Sequence, residues 1–461
     1  MRARTAVPSI SGMRGLLATS IGVTCAASLA LPLTPSATAV TAPPAPTAET
    51  ATAAARATSL AAPLPGSTQS LPLTPLARDR AHGGSGPQQG VPRRDVRPFS
   101  LLGIVWDDPD AELHGQVQVR TRDVRTGAWS GWQDVETHNT DHGADPGADE
   151  RTSDRVRGAT APLWVGDSNG VELRVSSATE HRTEDTARGA RTAASAAPLP
   201  SGLRLELVDP GTPAPAPASA ARRVGAEATV MPALDRAATE RELRALYAPA
   251  LTEGRRAAKP YIGPRPGIVT RRGWGADETL RESGFRYTTK VKAAFVHHTA
   301  SGNNYTCAQA PSVIRGIYRY HVKSMGWRDI GYNFLVDKCG TLYEGRAGGV
   351  TKAVLGAHTL GFNSNSMGIA AIGTYTSVKP SAATVKAVAS LTAWKLGLFG
   401  GNPNGKTYLK SAGGNLYAKG KNVRLNVISG HRDGFATECP GRQLYGKLGS
   451  TRTTAARYQG R

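Results

Sequence analysis

The sequence predicts an all-β, sandwich-like accessory domain followed by an α/β domain whose central mixed β-sheet is flanked by helices, with low-complexity linkers before and between them. Three observations lead there: period-two alternation of apolar residues in the first half, strand-like and helix-like segments interleaved in the second, and a charge that divides between the same halves. At 461 residues the chain is too long for one ordinary core. Its 52 Gly and 31 Pro exceed the average share of roughly 12%, enough to set whole stretches aside as linker. The formal charge is +21; residues 1–258 hold 27 basic and 27 acidic side chains and residues 259–461 hold 29 and 8, so the C-terminal part carries the entire excess.

Taken in order, Arg2, Arg4 and Arg14 precede the small, apolar and uncharged stretch from Gly15 to Leu33, and Ala37-Thr38-Ala39 supplies an A-x-A pattern. Residues 1–39 therefore read as a signal peptide and the protein as secreted. No later apolar run approaches the ~20 residues needed to cross a bilayer, so no membrane partner is expected once that segment is removed. Residues 40–95 are rich in Ala, Pro and Thr with almost no aromatics and read as a disordered spacer. Residues 96–211 read as the β-rich accessory domain: Val117 and Val119, then Val171, Leu173 and Val175, then Leu203, Leu205 and Leu207 alternate with polar neighbours. Asn169-Gly170 between two such runs signals a hairpin turn. The acidic, Gly-rich stretch from His138 to Asp154 and the Ala/Arg-rich stretch from Thr183 to Pro198 read as poorly ordered insertions, and no catalytic constellation is visible in this domain. Residues 212–258 read as a second Pro/Ala-rich linker with a short helix over 238–247.

From 259 to 461 the pattern is mixed. Residues 292–300 read as a buried strand ending in polar groups, 312–323 as a helix, 331–346 as a hairpin turned at Asp337 to Gly340, 367–375 as a strand, 382–398 as a helix and 423–433 as a last strand running into a polar loop. Polar groups gather where strands stop: His297 follows Phe295-Val296, His431 follows Val427-Ile428, and Cys439 lies eight residues further on. Two imidazoles and a thiolate suit Zn²⁺ and leave a fourth position for water. Spacing alone reads equally well as a hydrogen-bonded strand-end His and a core thiol. Beyond the signal segment the cysteines number three; Cys307 and Cys339 read as a pair, which an oxidising compartment permits, and Cys439 is left free.

The motifs "RRGWGA" (271–276), "FVHHTA" (295–300), "GWRDIGYNFLV" (326–336), "GTLYEGR" (340–346), "GAHTLGFNSNSMGIAAIG" (356–373) and "SGHRDGFATECPG" (429–441) occur in order between Arg271 and Gly446. This region resembles the peptidoglycan recognition protein and N-acetylmuramoyl-L-alanine amidase family, related to phage T7 lysozyme. The resemblance implies a zinc-floored groove holding one Zn²⁺, with His297 favoured over His298 as a ligand beside His431 and Cys439. It implies a catalytic role for Tyr332 and an oxyanion role for Thr437, which stands where some members carry Lys. His298, His321 and His358 match positions near the substrate groove, and Asp433 is a candidate for orienting a ligand His. Cys307 matches a cysteine used by many members in a structural bridge, and Cys339 fits a bacterial variant of that pairing. The implied reaction is hydrolysis of the amide between the lactyl group of N-acetylmuramic acid and L-alanine of the stem peptide; the alternative is a non-catalytic peptidoglycan-binding protein. Glu344 and Glu438 are the remaining carboxylate candidates. The expected partners are peptidoglycan and anionic wall polymers, towards which the basic domain would be steered. Nucleic acid is not expected, because the basic residues lack clustered aromatics. A cell-wall-associated monomer completes the expectation.

Overall fold

The computed structural model describes residues 65–76, 88–184, 191–212, 228–247 and 260–461, which belong to one unit beginning at Leu60. The expected signal peptide and much of both expected linkers lie outside the described residues. In the N-terminal part, β1 (Ser67–Pro72), β2 (Gln88–Trp106), β3 (Gly115–Asp123), β4 (Gln133–Val135), β5 (Leu163–Ser177) and β6 (Arg204–Asp209) form an antiparallel sheet in the order β1-β6-β2-β5-β3-β4. Two short strands, Thr74–Pro75 and Gly158–Ala159, also pair with β2. The all-β, sandwich-like domain thus starts well before residue 96. The Ser67–Pro72 segment has little apolar signal, but its backbone pairs with β6 from Ser67 opposite Asp209 to Pro72 opposite Arg204.

Strand β2 shows why Leu101 to Trp106 is apolar almost without a break. Leu102, Ile104 and Trp106 enter the domain's own core with Val117, Val119, Leu173 and Leu205. Leu101 and Val105 point the other way, into a cluster shared with the C-terminal part. A strand buried on both faces has no polar side with which to alternate. The hairpin expected at Asn169-Gly170 is not formed. Gly170 sits inside β5 and pairs with Asp95 on one side and Arg122 on the other, because both flanks find partners in β2 and β3 rather than in each other. Register shifts beside it absorb the irregularity. Within the Thr183–Pro198 stretch, Arg191–Ala196 pairs with Thr179–Glu184 as a hairpin, and residues 185–190 lie outside the described residues.

The C-terminal part contains β7 (Val230–Met231), α1 (Arg236–Tyr247), β8 (Ile268–Val269), β9 (Ala293–His298), α2 (Ala310–Arg319), β10 (Phe334–Val336), β11 (Leu342–Glu344), β12 (Ser366–Ala371), α3 (Ala382–Leu398), β13 (Ile428–Gly430) and α4 (Leu448–Gln459). The sheet order is β7-β8-β11-β10-β12-β9-β13. Strand β9 runs parallel to both its neighbours, while β10 is parallel to β12 and antiparallel to β11, so the sheet is mixed as expected. Alternation divides its faces. Ala294, Val296, Val336 and Ile369 meet Val388, Leu391 and Trp394 of α3, whereas Leu335 and Ala370 meet Ile314 and Ile317 of α2. Strand β7 and helix α1 fall within the span expected to be linker, and β7 extends the sheet's edge. The last expected strand is divided: Asn422–Asn426 pairs with Lys406–Lys410 as a separate hairpin, and β13 alone joins the main sheet. Cys307 and Cys339 form a disulfide across 32 residues, a closure worth about 3–4 kcal/mol in the chain-entropy picture.

Helix α2 packs between the central sheet and the β domain. Gly103 of β2 is required there: a Cβ on it would lie 2.3 Å from the Tyr320 hydroxyl. That hydroxyl lies 3.2 Å from the carbonyl oxygens of both Ile104 and Thr160, and Ser324 donates to Glu206 at 2.9 Å. With Trp164 and Val208 on one side and Tyr318, Met325 and Trp327 on the other, the two domains share one apolar core.

Candidate metal centre

His297 is the penultimate residue of β9, on the face of Ala293 and Phe295, opposite the side covered by α3. His431 opens the one-turn helix that follows β13. The chain then loops back to Cys439, whose amide donates to Thr437 Oγ1 at 3.1 Å. His297 thus meets His431 and Cys439 from more than 130 positions away in the sequence, with no solvent exposure at the two histidines and almost none at the thiol.

A fourth donor joins them from the other domain. The ligand atoms of His142, His297, His431 and Cys439 all lie within 4.8 Å of one another. The His142 ring is 4.6 Å from His431 and 5.4 Å from His297, centroid to centroid. Its Nδ1 is 2.8 Å from an oxygen of Asp141, whose other oxygen is 3.6 Å from His431 Nδ1. The stretch read as a poorly ordered insertion is therefore an ordered loop lying on the α/β domain. The sequence reading missed His142 and Asp141 because "TDHGADPGADE" has the composition of a solvated turn and no period to follow. The available signal was electrostatic, an acidic stretch in a chain whose other domain is strongly basic.

The donor set fits a soft divalent cation. His297 Nε2 is 3.4 Å from Thr359 Oγ1, which leaves Nδ1 facing Cys439 Sγ at 3.8 Å. Two ligands at usual Zn–N and Zn–S lengths lie about 3.6 Å apart around a tetrahedral centre. Neither ring nitrogen of His431, nor His142 Nε2, has a hydrogen-bond partner although all are buried. Such orphaned atoms are costly unless something ligates them. Burial depresses the basicity of all three strand-end and neighbouring rings, taking His431 to about 3 and His298 to about 4, so each offers a neutral imidazole. Burial works against ionisation of Asp141, yet the His142 and His431 rings outweigh it and hold the carboxyl well below the usual range.

The other expected residues separate into two groups. Tyr332, Thr437 and His298 line a small cavity beside Cys439 and His142, of ≈ 20 Å³, room for about one water. The Tyr332 ring lies 5.5 Å from that of His297, and burial raises its pKa well above the ordinary value, so it keeps its proton. His298 accepts the Tyr375 amide on Nδ1, which puts its ring proton on Nε2. His321 and His358 do not line this cavity. His321 accepts the Gly331 amide and lies 4.5 Å from Trp327, while His358 packs 5.2 Å behind His297 with its Nδ1 on Thr359. Asp433 does not face a ligand ring: it accepts the Gly430 amide and the Tyr445 hydroxyl, leaving Asp141 as the carboxylate beside His431. Glu438 pairs with Arg432, and Glu344 accepts the Arg271 amide.

A mixed α/β domain with a buried histidine–cysteine group whose donor atoms could hold one metal ion defines the class. Residues 287–442 match the N-acetylmuramoyl-L-alanine amidase family, and residues 46–198 match the family described as Rv3811 N-terminal galactose-binding domain-like. The chain is 30% identical over 192 residues to peptidoglycan-recognition protein SC1a of Drosophila melanogaster, covering 41% of this chain and 87% of that one. It is 29% identical over 181 residues to peptidoglycan-recognition protein SC2 of Drosophila simulans, 39% and 84% of the two chains. Among solved structures it is similar to Drosophila PGRP-LB, at 26% identity over 40% of this chain and 92% of the other, with a TM-score of 0.32. The chain belongs to the peptidoglycan recognition protein and type 2 amidase family through its C-terminal domain.

Proposed function

We infer that the protein is an exported zinc-dependent N-acetylmuramoyl-L-alanine amidase that hydrolyses the amide joining the lactyl group of N-acetylmuramic acid to L-alanine of the stem peptide. The observation that carries this reading is the convergence of His297, His431 and Cys439 on one point with the Tyr332 phenol beside it. A zinc ion held by these three residues would supply Lewis-acid polarisation of the scissile carbonyl and a water acidic enough to react near neutral pH. Tyr332, protonated at all physiological pH values, donates a hydrogen bond to the oxygen on which negative charge develops. Thr437 accepts the Cys439 amide and lines the cavity, and its O–H donates to the Asp141 carboxylate, so it turns to the substrate only when that partner is exchanged. His298, whose proton is on Nε2 and which lines the same cavity, orients the substrate in this reading. The basic charge of the C-terminal domain suits retention on peptidoglycan and anionic wall polymers.

The test is metal analysis of the full mature chain together with mass spectrometry of material released from purified walls, for both the unaltered chain and His142→Ala. One zinc per chain and released stem peptides with a free L-alanine amino terminus are expected. Tyr332→Phe in the His142→Ala background should keep the metal and lose about 10²–10³-fold in turnover, the usual effect of removing one oxyanion donor. Undiminished wall binding with no release from either chain would leave a binding protein instead.

A further inference from the structure

We propose that His142 is a fourth protein ligand to the metal and that the accessory-domain loop carrying it is an internal plug, so that the chain as folded is a latent hydrolase. This rests on the amidase reading above. Metal sites with four protein ligands are structural and closed, whereas catalytic ones keep a position open for water or substrate. The α/β domain alone supplies the three-donor, open kind of site, and His142 converts it to the closed kind.

The loop is built for that placement. Gly143 adopts φ +130, a conformation that favours glycine, immediately after the ligating residue. Leu360 donates its amide to the Asp141 carbonyl at 3.0 Å, and the Asn363 side chain donates to the Gly143 carbonyl at 2.9 Å. Asp145 accepts from the Gly361 amide at 2.9 Å and from the Asn363 side chain at 2.7 Å. Glu150 receives both terminal nitrogens of buried Arg346, at 2.7 and 2.9 Å, and the Arg328 amide at 3.2 Å. Ala144 reaches the shared apolar core. Every one of these anchors lies on the α/β domain, on both sides of the point where His142 meets His431. The residual cavity of ≈ 20 Å³ cannot admit a glycan-linked peptide. For a substrate to reach Tyr332, the loop must leave.

Cobalt-substituted full chain provides the test, with azide as the probe of an open coordination position. The visible spectrum of the unaltered chain should not respond to millimolar azide, and that of His142→Ala should. A second variant, Asp145→Ala with Glu150→Ala, keeps all four donors and cuts only the tethers. It should also respond to azide, and it should release stem peptides from walls at least about tenfold faster than the unaltered chain, since activity scales with the open fraction. An azide response in the unaltered chain equal to that of His142→Ala overturns the plug, as does release of stem peptides at equal rates by the unaltered and tether-cut chains; in the latter case the amidase reading stands. No azide response in the unaltered chain, a response in both variants and no peptide release from any would uphold the plug and overturn the amidase reading.

Discussion

The α/β domain places two of its three donors on rigid elements: His297 lies within a strand paired on both sides, and His431 follows directly on another. The β domain places His142 on a loop with no strand of its own between Val135 and Gly158, held down by side-chain carboxylates. Donors of the first kind are fixed by the same packing that holds the sheet. A donor of the second kind is held by contacts that break without unfolding either sheet. The difference separates what makes the metal site from what closes it.

The largest expected effect lies where the comparison should fail, in the core the two domains share. Trp164 is 3% exposed and packs in the cluster that includes Ile314, Ile317 and Tyr320. Trp164→Ala should cost about 3–5 kcal/mol and lower a single calorimetric transition; two separate transitions, with only one displaced, would show that the domains are independently stable. Next in size is the unequal weight of the donors. Changing a group that merely orients a metal ligand costs about 10–100-fold in affinity, so Cys439→Ser should weaken zinc by on the order of 100-fold or more, measured by competition with a chelator. His142→Ala, which leaves the α/β domain's own three donors intact, should weaken it less. Equal losses would remove the distinction between site and plug.

These two kinds of residue also differed in how legible they were. His297 and His431 sit in motifs anchored by strands, so the sequence could place them where strands stop, with Cys439 eight residues further on, and the family resemblance could assign all three. The apolar run of strand β2 does not alternate, so the period-two signal passes over it, and nothing in it announces that its second face belongs to another domain. β1 was illegible because backbone pairing with β6, not its side chains, makes it a strand. Asp141 and His142 were illegible for a related reason. Their placement follows from partners more than two hundred residues away, such as Leu360 and Asn363, and no local pattern encodes them.

A subtler division concerns pH. Burial opposes ionisation of Glu150, but Arg346 and then Arg328 outweigh it and hold its pKa below the ordinary 4.5. Its contribution to docking is therefore fully present above that ordinary value and is lost as pH falls through the folded one. Asp145 has the opposite sign: burial raises it above 3.8 despite hydrogen bonds from Asn363 and Gly361, so its contribution is lost as pH rises. In Asp145→Asn the loop should loosen on acidification, and in Glu150→Gln it should tighten, read by amide exchange over residues 139–150. Asp141 is common to both variants and drops out of the difference between their two pH responses. The same direction in both would mean that another group controls the loop.

The smallest effect is the sharpest probe of whether interface and plug are one unit. Tyr320 is fully buried above Gly103, and its hydroxyl reaches the carbonyls of Ile104 and Thr160. Tyr320→Phe removes that donor while keeping the ring, and the Ile104 carbonyl retains the Thr160 amide as a partner at 2.9 Å. The loss should thus be about 1 kcal/mol, that of one hydrogen bond. Because Tyr320 touches neither the tethers nor the donor cluster, the azide response of the cobalt chain should stay closed. If Tyr320→Phe opened the metal site as the tether-cut variant does, docking of the whole β domain, rather than of its loop, would be the element that moves.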